Sequence, residues 1–478
     1  MATNDAAIYE EFKNIMYTDS AIAGEAAALG MGLVKVGCAD EGSIQDMLTY
    51  AGQTKHEKVI RGLAMSLAFL VYGKEEQGDT LIEQMVRSKD SLIRYGAMFA
   101  IGMAYVGTSN NEAIKKLLHY AVSDVSDDVK RAAMMNIGFL SFRNPRQIPA
   151  LVKQLSDSYN PHLRYGAAMA VGVGCAGTGL PEALKILAPL TNDNTDFVRQ
   201  GALIALALVF VQITEGQEPK VATIKKLYTK KAADKYEDVL TKMGSLLAMG
   251  ILNAGGRNTT ISMQTRSGTL RMGAVIGMAL FLQHWYWYPL LNFLVLTLSP
   301  TALVGLDENL KVPKSFKVVS KAKPSLYKYP EFLKREENKK EEKVTTAVLS
   351  TTAKVKAKTD KKKGEEGMQM EAPPEEAKQE EKPQEEVKEE PELQELANPS
   401  RVLSQQEKVI RFDQRNRYVP VLPTRKSGFI ILRDQTPQAP GETYYDDEEI
   451  DPNAPNPQNA AVDFEIPADF VFDPNAQR

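Results

Sequence analysis

A chain of 478 residues with 43% hydrophobic side chains can form several domains with sizeable cores, and a mean hydropathy of −0.29 excludes a wholly membrane-embedded protein. Its 58 Lys and Arg nearly balance 61 Asp and Glu, and a net charge of −3 demands no nucleic-acid partner. Two cysteines, Cys38 and Cys175, match no C-x-x-C motif and stand among alanines and other apolar residues, as small core residues of a reducing compartment do.

The opening residues, MATNDAAIYEEFK, show neither the basic nor the apolar region of a secretory leader. From there a repeat runs through the first half. GEAAALGMGL, GLAMSLAFLVYG, GAMFAIGMAYVG, AAMMNIGFLSF, GAAMAVGVGCAG, GALIALALVF and GSLLAMGILNAG begin at Gly24, Gly62, Gly96, Ala132, Gly166, Gly201 and Gly244, spaced by 38, 34, 36, 34, 35 and 43 residues. A weaker eighth copy begins at Gly273. Six residues into each of the first seven stands a second small residue: Gly30, Ala68, Gly102, Gly138, Gly172, Ala207 and Gly250. Arg61, Arg94, Arg131, Arg164 and Arg199 precede the starts, and most follow an acidic or Asn-Pro turn of N-cap character.

Between the small-residue stretches lie amphipathic ones such as NEAIKKLLHYAV and LPEALKILAPL, apolar at i, i+3, i+4 and i+7. Each repeat therefore reads as two antiparallel helices, one apolar on all sides and one half exposed. Glycine inside a helix costs about 1 kcal/mol relative to alanine. Its recurrence calls for close helix approach, below the usual spacing of roughly 8–10 Å. The fold class expected is mainly α: a tightly curved or toroidal solenoid whose Gly/Ala helices form the inner layer, stabilised by neighbour stacking. The five arginines read as ties between repeats, through carbonyls or turn acids, with a binding groove as the alternative.

Met272 to Leu306 contains no charged residue. Gln283, His284, Pro289, Asn292 and Pro300 interrupt it, so it reads as buried core, with a membrane span as the competing reading. Beyond it, SFKVVS, TTAVLSTTAKVKAK from Thr345, RVLSQQEKVIRF, YVPVLPT and SGFIILRD read as strands. The Lys-then-Glu stretch between them cannot bury enough surface to fold. The expected organisation is a helical solenoid over 1–306, extended segments and a first strand over 307–353, a disordered charged linker over 354–396, the remaining strands of a small C-terminal β-domain over 397–436, and an acidic tail over 437–478. KTDKKKG near Lys361 reads as solvated linker, or alternatively as a nuclear localisation signal.

Catalytic chemistry is not evident. Gly172, Gly174 and Gly177 spell G-x-G-x-x-G with Asp196 downstream, but they fall inside a repeat helix rather than after a strand. There is no phosphate-binding loop of the G-x-x-x-x-G-K-[ST] type. His56, His119, His162 and His284 lack metal-ligand spacing. The expectation is a non-enzyme with no cofactor, metal or catalytic residue.

The repeat of about 35 residues, best seen in GAAMAVGVGCAGT from Gly166, resembles the proteasome/cyclosome repeat. That repeat is shared by the two largest non-ATPase subunits of the 26S proteasome base and the largest subunit of the anaphase-promoting complex. SDVSDDVKRAA, SYNPHLRYGAAMA, VRQGALIA, HWYWYPL and KSGFIILRD are similar to the non-ATPase subunit 2 branch of that family, and the likeness covers nearly all of the chain outside the charged linker. The resemblance makes Gly24, Gly30, Gly62, Gly96, Gly102, Gly138, Gly166, Gly172, Gly201, Gly244 and Gly250 the repeat-defining residues. It implies a non-catalytic scaffold of the regulatory particle, cytoplasmic and nuclear, contacting base ATPase subunits, lid subunits and a ubiquitin-receptor subunit. The receptor contact would fall to Pro467, Asp469, Phe470, Phe472 and Asp473 in the tail. The family also carries a helical rod ahead of its ring, whereas this sequence opens at an early ring repeat.

Overall fold

The computed structural model describes residues 1–18, 20–329, 390–413, 415–436 and 444–445. The strand expected from Thr345, the lysine cluster at 361–363 and most of the tail lie outside the described residues. Nearly all of the described chain falls in one unit, Met1–Tyr327 together with the residues from Glu392 onward.

Helices alternate as the periodicity predicts. The amphipathic set comprises α1 (Ala6–Met16), α3 (Glu41–Ala51), α5 (Asp79–Val86), α7 (Asn111–Ser123), α9 (Ile148–Ser156), α11 (Pro181–Leu190) and α13 (Lys220–Ala233). The small-residue set comprises α2 (Ala21–Val34), α4 (Glu57–Leu70), α6 (Ser91–Ala104), α8 (Asp127–Ser141), α10 (Pro161–Gly174), α12 (Asp196–Phe210) and α14 (Val239–Leu252). In α12 every residue from Val198 to Phe210 is buried, whereas α7 buries only Ala113, Ile114, Leu117 and Ala121. Turn residues start the helices as expected: Asp90 accepts from the N–H of Leu92, Asn110 from Glu112 and Ala113, and Asn160 from His162.

The even-numbered helices pack on one another in sequence, from α2 through α14. Their glycines sit where backbones nearly touch. A Cβ on Gly96 would lie 2.6 Å from the Cβ of Ala64 in the preceding helix, and one on Gly138 2.6 Å from the carbonyl oxygen of Ala170 in the following helix. On Gly172 it would meet the Cα and Cβ of Ala205, both at 2.8 Å. Gly250 differs: a Cβ there meets nothing within 4 Å, because among the described residues no later helix of the series covers α14.

The eighth copy does not extend the stack. It forms α15 (Met272–His284), buried all round, and its C-terminal end lies among residues from far-apart repeats. Trp285 lies near the Tyr165 hydroxyl of α10, and the Arg61 charge of α4 acts on His284. Tyr286 feels Glu25 of α2, Arg61 and Arg131 of α8. Helices four steps apart in a straight stack would stand roughly 32–40 Å apart. One helix end can meet α2, α4, α8 and α10 together only if the stack bends around it. The concave side thus holds α15. After it the uncharged stretch breaks into a four-residue helix at Tyr288–Leu291, a 3₁₀ turn at Asn292–Thr297 and strands. Among the described residues no helix is long and apolar enough to cross a membrane.

The strands are β1 (Thr259–Ile261), β2 (Leu298–Pro300), β3 (Ala302–Leu306), β4 (Val318–Ser320), β5 (Gln394–Leu396), β6 (Ser400–Arg401), β7 (Ile410–Arg411), β8 (Tyr418–Pro420) and β9 (Gly428–Asp434). β1 pairs with β2, β5-β4-β7 make a three-stranded sheet, and β6-β3-β9-β8 make a four-stranded one with β3 parallel to β9. Strands from both sides of the charged insert therefore share sheets. Two boundaries differ from the sequence reading. β3 lies within the span assigned to the solenoid, because Ala302–Leu306 alternates in burial as a strand does. β5 lies within the span assigned to the linker, where Glu395 and Leu396 pair with Val319 and Val318. Buried Asn398 locks β3 in place: its side chain accepts from the Gly305 N–H at 2.9 Å and donates to the carbonyls of Gly305 and Pro313.

Candidate interaction surfaces

The arginines preceding the repeat starts are spent on the scaffold itself. Arg94 forks onto Asp124 at 2.9 and 3.2 Å and also donates to the carbonyls of Ser88 and Lys89. Arg164 repeats the device two repeats later, on Asp193 at 2.7 and 2.8 Å and on the carbonyls of Ser158 and Tyr159. Arg199 pairs with Glu237 and Asp238 and donates to the carbonyl of Asp193. Each arginine ties the loop that starts its helix to the acidic loop of the next repeat. Bidentate, charge-assisted bonds of this kind are among the strongest available.

Arg61 departs from the pattern. It reaches Asp128 of α8 at 3.1 Å, skipping α6, and lies over the Tyr95 ring at 5.0 Å. Arg131 meets the same carboxylate at 2.8 Å. A bond across 67 residues that passes over one helix is possible only on the concave side of an arc. Burial opposes ionisation of Asp124, Asp128 and Asp193, yet the facing guanidinium groups hold all three below the usual carboxylate range. Arg94, Arg164 and Arg199 direct most of their donors to internal carboxylates and carbonyls, which favours ties between repeats over a binding groove at those three positions.

The other residues singled out in the sequence take structural places. Gly172 and Gly174 lie inside α10 and Gly177 follows it in a turn at φ +66°, with no strand ahead to make a dinucleotide site. The Cys175 thiol is buried against the carbonyl of Pro145, and burial pushes its pKa up to about 12. His162 lies against the Phe197 ring at 5.0 Å, with burial lowering its pKa. Among the described residues no group of His, Cys, Asp and Glu is arranged to hold a metal ion. The tail residues Pro467, Asp469, Phe470, Phe472 and Asp473 lie outside the described residues.

Sequence reasoning missed two features. His284, read from sequence as an interruption of the apolar stretch and as a histidine without metal-ligand spacing, is 1% exposed, and neither ring nitrogen has a hydrogen-bond partner among the described residues. Burial and then the Arg61 charge lower its pKa to about 4. The second is the exposed apolar side of the four-stranded sheet. The unbroken run Phe429-Ile430-Ile431-Leu432 signalled it, because a strand with one solvated face alternates apolar with polar.

The 26S proteasome regulatory subunit RPN2 C-terminal domain family matches residues 301–443, the proteasome/cyclosome repeat residues 96–130 and HEAT repeats residues 114–207. The chain is 50% identical over 464 residues to the 26S proteasome non-ATPase regulatory subunit 1 homolog B of Arabidopsis thaliana, covering 92% of this chain and 45% of that protein. It is 41% identical over 495 residues to the 26S proteasome regulatory subunit rpn2 of Schizosaccharomyces pombe, covering 98% and 51%. It is 48% identical over 368 residues to the 26S proteasome non-ATPase regulatory subunit 1 of Drosophila melanogaster, covering 76% and 36%. The chain spans about half the length of the curated relatives it matches, or less.

Proposed function

The chain belongs to the Rpn2 family of 26S proteasome regulatory subunits, and from that premise we propose that it is a non-catalytic scaffold of the proteasome regulatory particle, supporting ATP-dependent degradation of ubiquitinated proteins. The observation that carries the reading is identity of 41–50% running through both the helical stack and the β-region, together with repeat arginines committed to internal ties. Its work is positional. A stack whose neighbours are clamped by Arg94, Arg164 and Arg199 holds its outer surfaces in fixed register, which suits it to seat base ATPase and lid subunits in a hetero-oligomeric complex of cytoplasm and nucleus. The match over 301–443 favours this over an anaphase-promoting-complex scaffold. The test is native-mass analysis of complexes purified through the tagged chain. Proteasome regulatory subunits are the expected partners, and their absence refutes the assignment.

The tail supplies the second part of the proposal: docking of a ubiquitin-receptor subunit through Pro467, Asp469, Phe470, Phe472 and Asp473. Spaced aromatics among acids and prolines suit an extended segment that inserts rings into pockets. A peptide covering 462–478 should bind the receptor, with affinity falling at least roughly ten-fold for Phe470→Ala and Phe472→Ala. Affinity unchanged by both substitutions overturns the docking role.

A further inference from the structure

The four-stranded sheet is apolar on both sides. Inward, Leu303, Ile430, Leu432 and Tyr418 pack with Phe316 into a core of their own. Outward, register places Val304 beside Phe429 and Leu306 beside Ile431. Val421 donates its N–H to the carbonyl of Ile431 at 2.9 Å and continues the same row. Phe429 is 63% exposed, Leu422 60%, Ile431 46% and Val421 46%. Isolated exposed apolar residues are ordinary, but a contiguous set on one sheet face marks a surface that is covered in use. Its margin is basic: Arg425 and Arg433 are exposed beside it, and Lys426 is half-buried. The acid at the end of β9, Asp434, is already bonded to Arg417 at 2.9 Å.

We propose that the segment Val462–Ile466 of this chain's own tail covers that face. The sequence there reads Val462-Asp463-Phe464-Glu465-Ile466, a strict alternation of apolar and acidic residues. In an extended segment such alternation puts three apolar side chains on one side and two carboxylates on the other. The apolar side matches the outward row of half-buried Val304 and exposed Phe429, Ile431 and Val421, and the carboxylates match the basic margin of Arg425, Lys426 and Arg433. From 446 to 478 the chain carries nine Asp and Glu against one Arg, so the attraction has a single sign. The tail also starts close by. Tyr445 donates its N–H to the carbonyl of Val312, and the Lys311 and Lys314 ammonium groups lie 5.3 and 4.8 Å from the Tyr444 and Tyr445 ring centres. The 17 residues from Tyr445 to Val462 span up to about 56 Å when extended, so the segment has ample reach and a high effective concentration. Docked there, it holds the residues that follow at a fixed place on the β-region. The proposal concerns Val462–Ile466 and stands apart from receptor binding by Phe470 and Phe472.

The test uses the full chain with a photoreactive benzoylphenylalanine in place of Phe464. After irradiation, mass spectrometry should locate intramolecular crosslinks within residues 302–306 or 419–433, the strands that form the face. The double variant Phe429→Ser/Ile431→Ser should lower their yield roughly ten-fold, the loss expected for removing large apolar contacts. Arg425→Glu/Lys426→Glu, which leaves the apolar row intact and alters only surface charge, should lower it by a smaller factor that vanishes at high salt. Crosslinks elsewhere on the chain, crosslinks between two copies, or a yield unchanged in both variants overturn the proposal. Receptor binding by the 462–478 peptide is read separately, so failure of one idea does not mask failure of the other.

Discussion

Gly138 and Gly250 occupy the same register in two repeats, and alanine at the two positions should act in opposite directions. Replacing glycine by alanine within a helix ordinarily stabilises by about 0.5–1 kcal/mol, because the unfolded chain loses freedom. At Gly138 the new Cβ would fall 2.6 Å from the Ala170 carbonyl oxygen and 3.1 Å from its Cα. Those are backbone atoms, so relief requires α8 and α10 to separate. Overpacking of this kind costs about 1–3 kcal/mol. The two effects leave Gly138→Ala destabilised by up to about 2.5 kcal/mol. At Gly250 nothing lies within 4 Å, so only the gain remains, up to about 1 kcal/mol. Thermal unfolding followed by far-ultraviolet circular dichroism should show a midpoint several degrees lower for Gly138→Ala and unchanged or higher for Gly250→Ala. Hydrogen exchange of α14 amides separates a local gain there from a global one. If both variants shift in the same upward direction, the small residues are not there to let helices nest, and the account of the curved stack fails.

Arg164→Ala should destabilise by about 2–3 kcal/mol in urea unfolding, since it strands the largely buried Asp193 carboxylate and frees two loop carbonyls, while Arg87→Ala, which breaks only an exposed pair with Glu83, should change little. For His284 the folded-state pKa of about 4 lies below the ordinary value near 6.5, so the neutral ring is the native form. Its contribution is fully present above about pH 6.5 and is lost as pH falls towards 4, by about 3 kcal/mol at most. His284→Leu should flatten the stability–pH curve in that window, and a curve unaltered by the substitution contradicts the burial argument. Cys175, with its thiol held protonated at neutral pH, should resist aromatic disulfide reagents in the native state while half-buried Cys38 reacts; equal labelling of both rules this out.

The alternation of helix types, the small-residue register and the strand character of SFKVVS and SGFIILRD were legible in the sequence because each is a local periodicity. A glycine every 34–38 residues through most of the stack, followed six residues on by another small residue, already states which helix face must meet a neighbour. The repeat arginines were legible as ties because acids recur in phase with them. Other features depended on where distant segments meet. GAVIGMALF has the composition of its seven predecessors, yet α15 leaves the series and lies against the concave side, since composition records burial but not which surfaces enclose it. Arg61 stands one residue before its repeat glycine where Arg94 stands two, an offset that turns it by about 100° on the helix, but only the structure shows that the acid it then meets is Asp128, one helix beyond the adjoining one. The two boundaries at β3 and β5 moved for a like reason: three to five residues carry too little pattern to identify a strand until its partner, here β9 or β4, is in place. Periodicity determined the elements and the faces they bury. Only the tertiary structure decided what each face met, because that depends on the accumulated bend of the stack and on pairings between strands more than seventy residues apart.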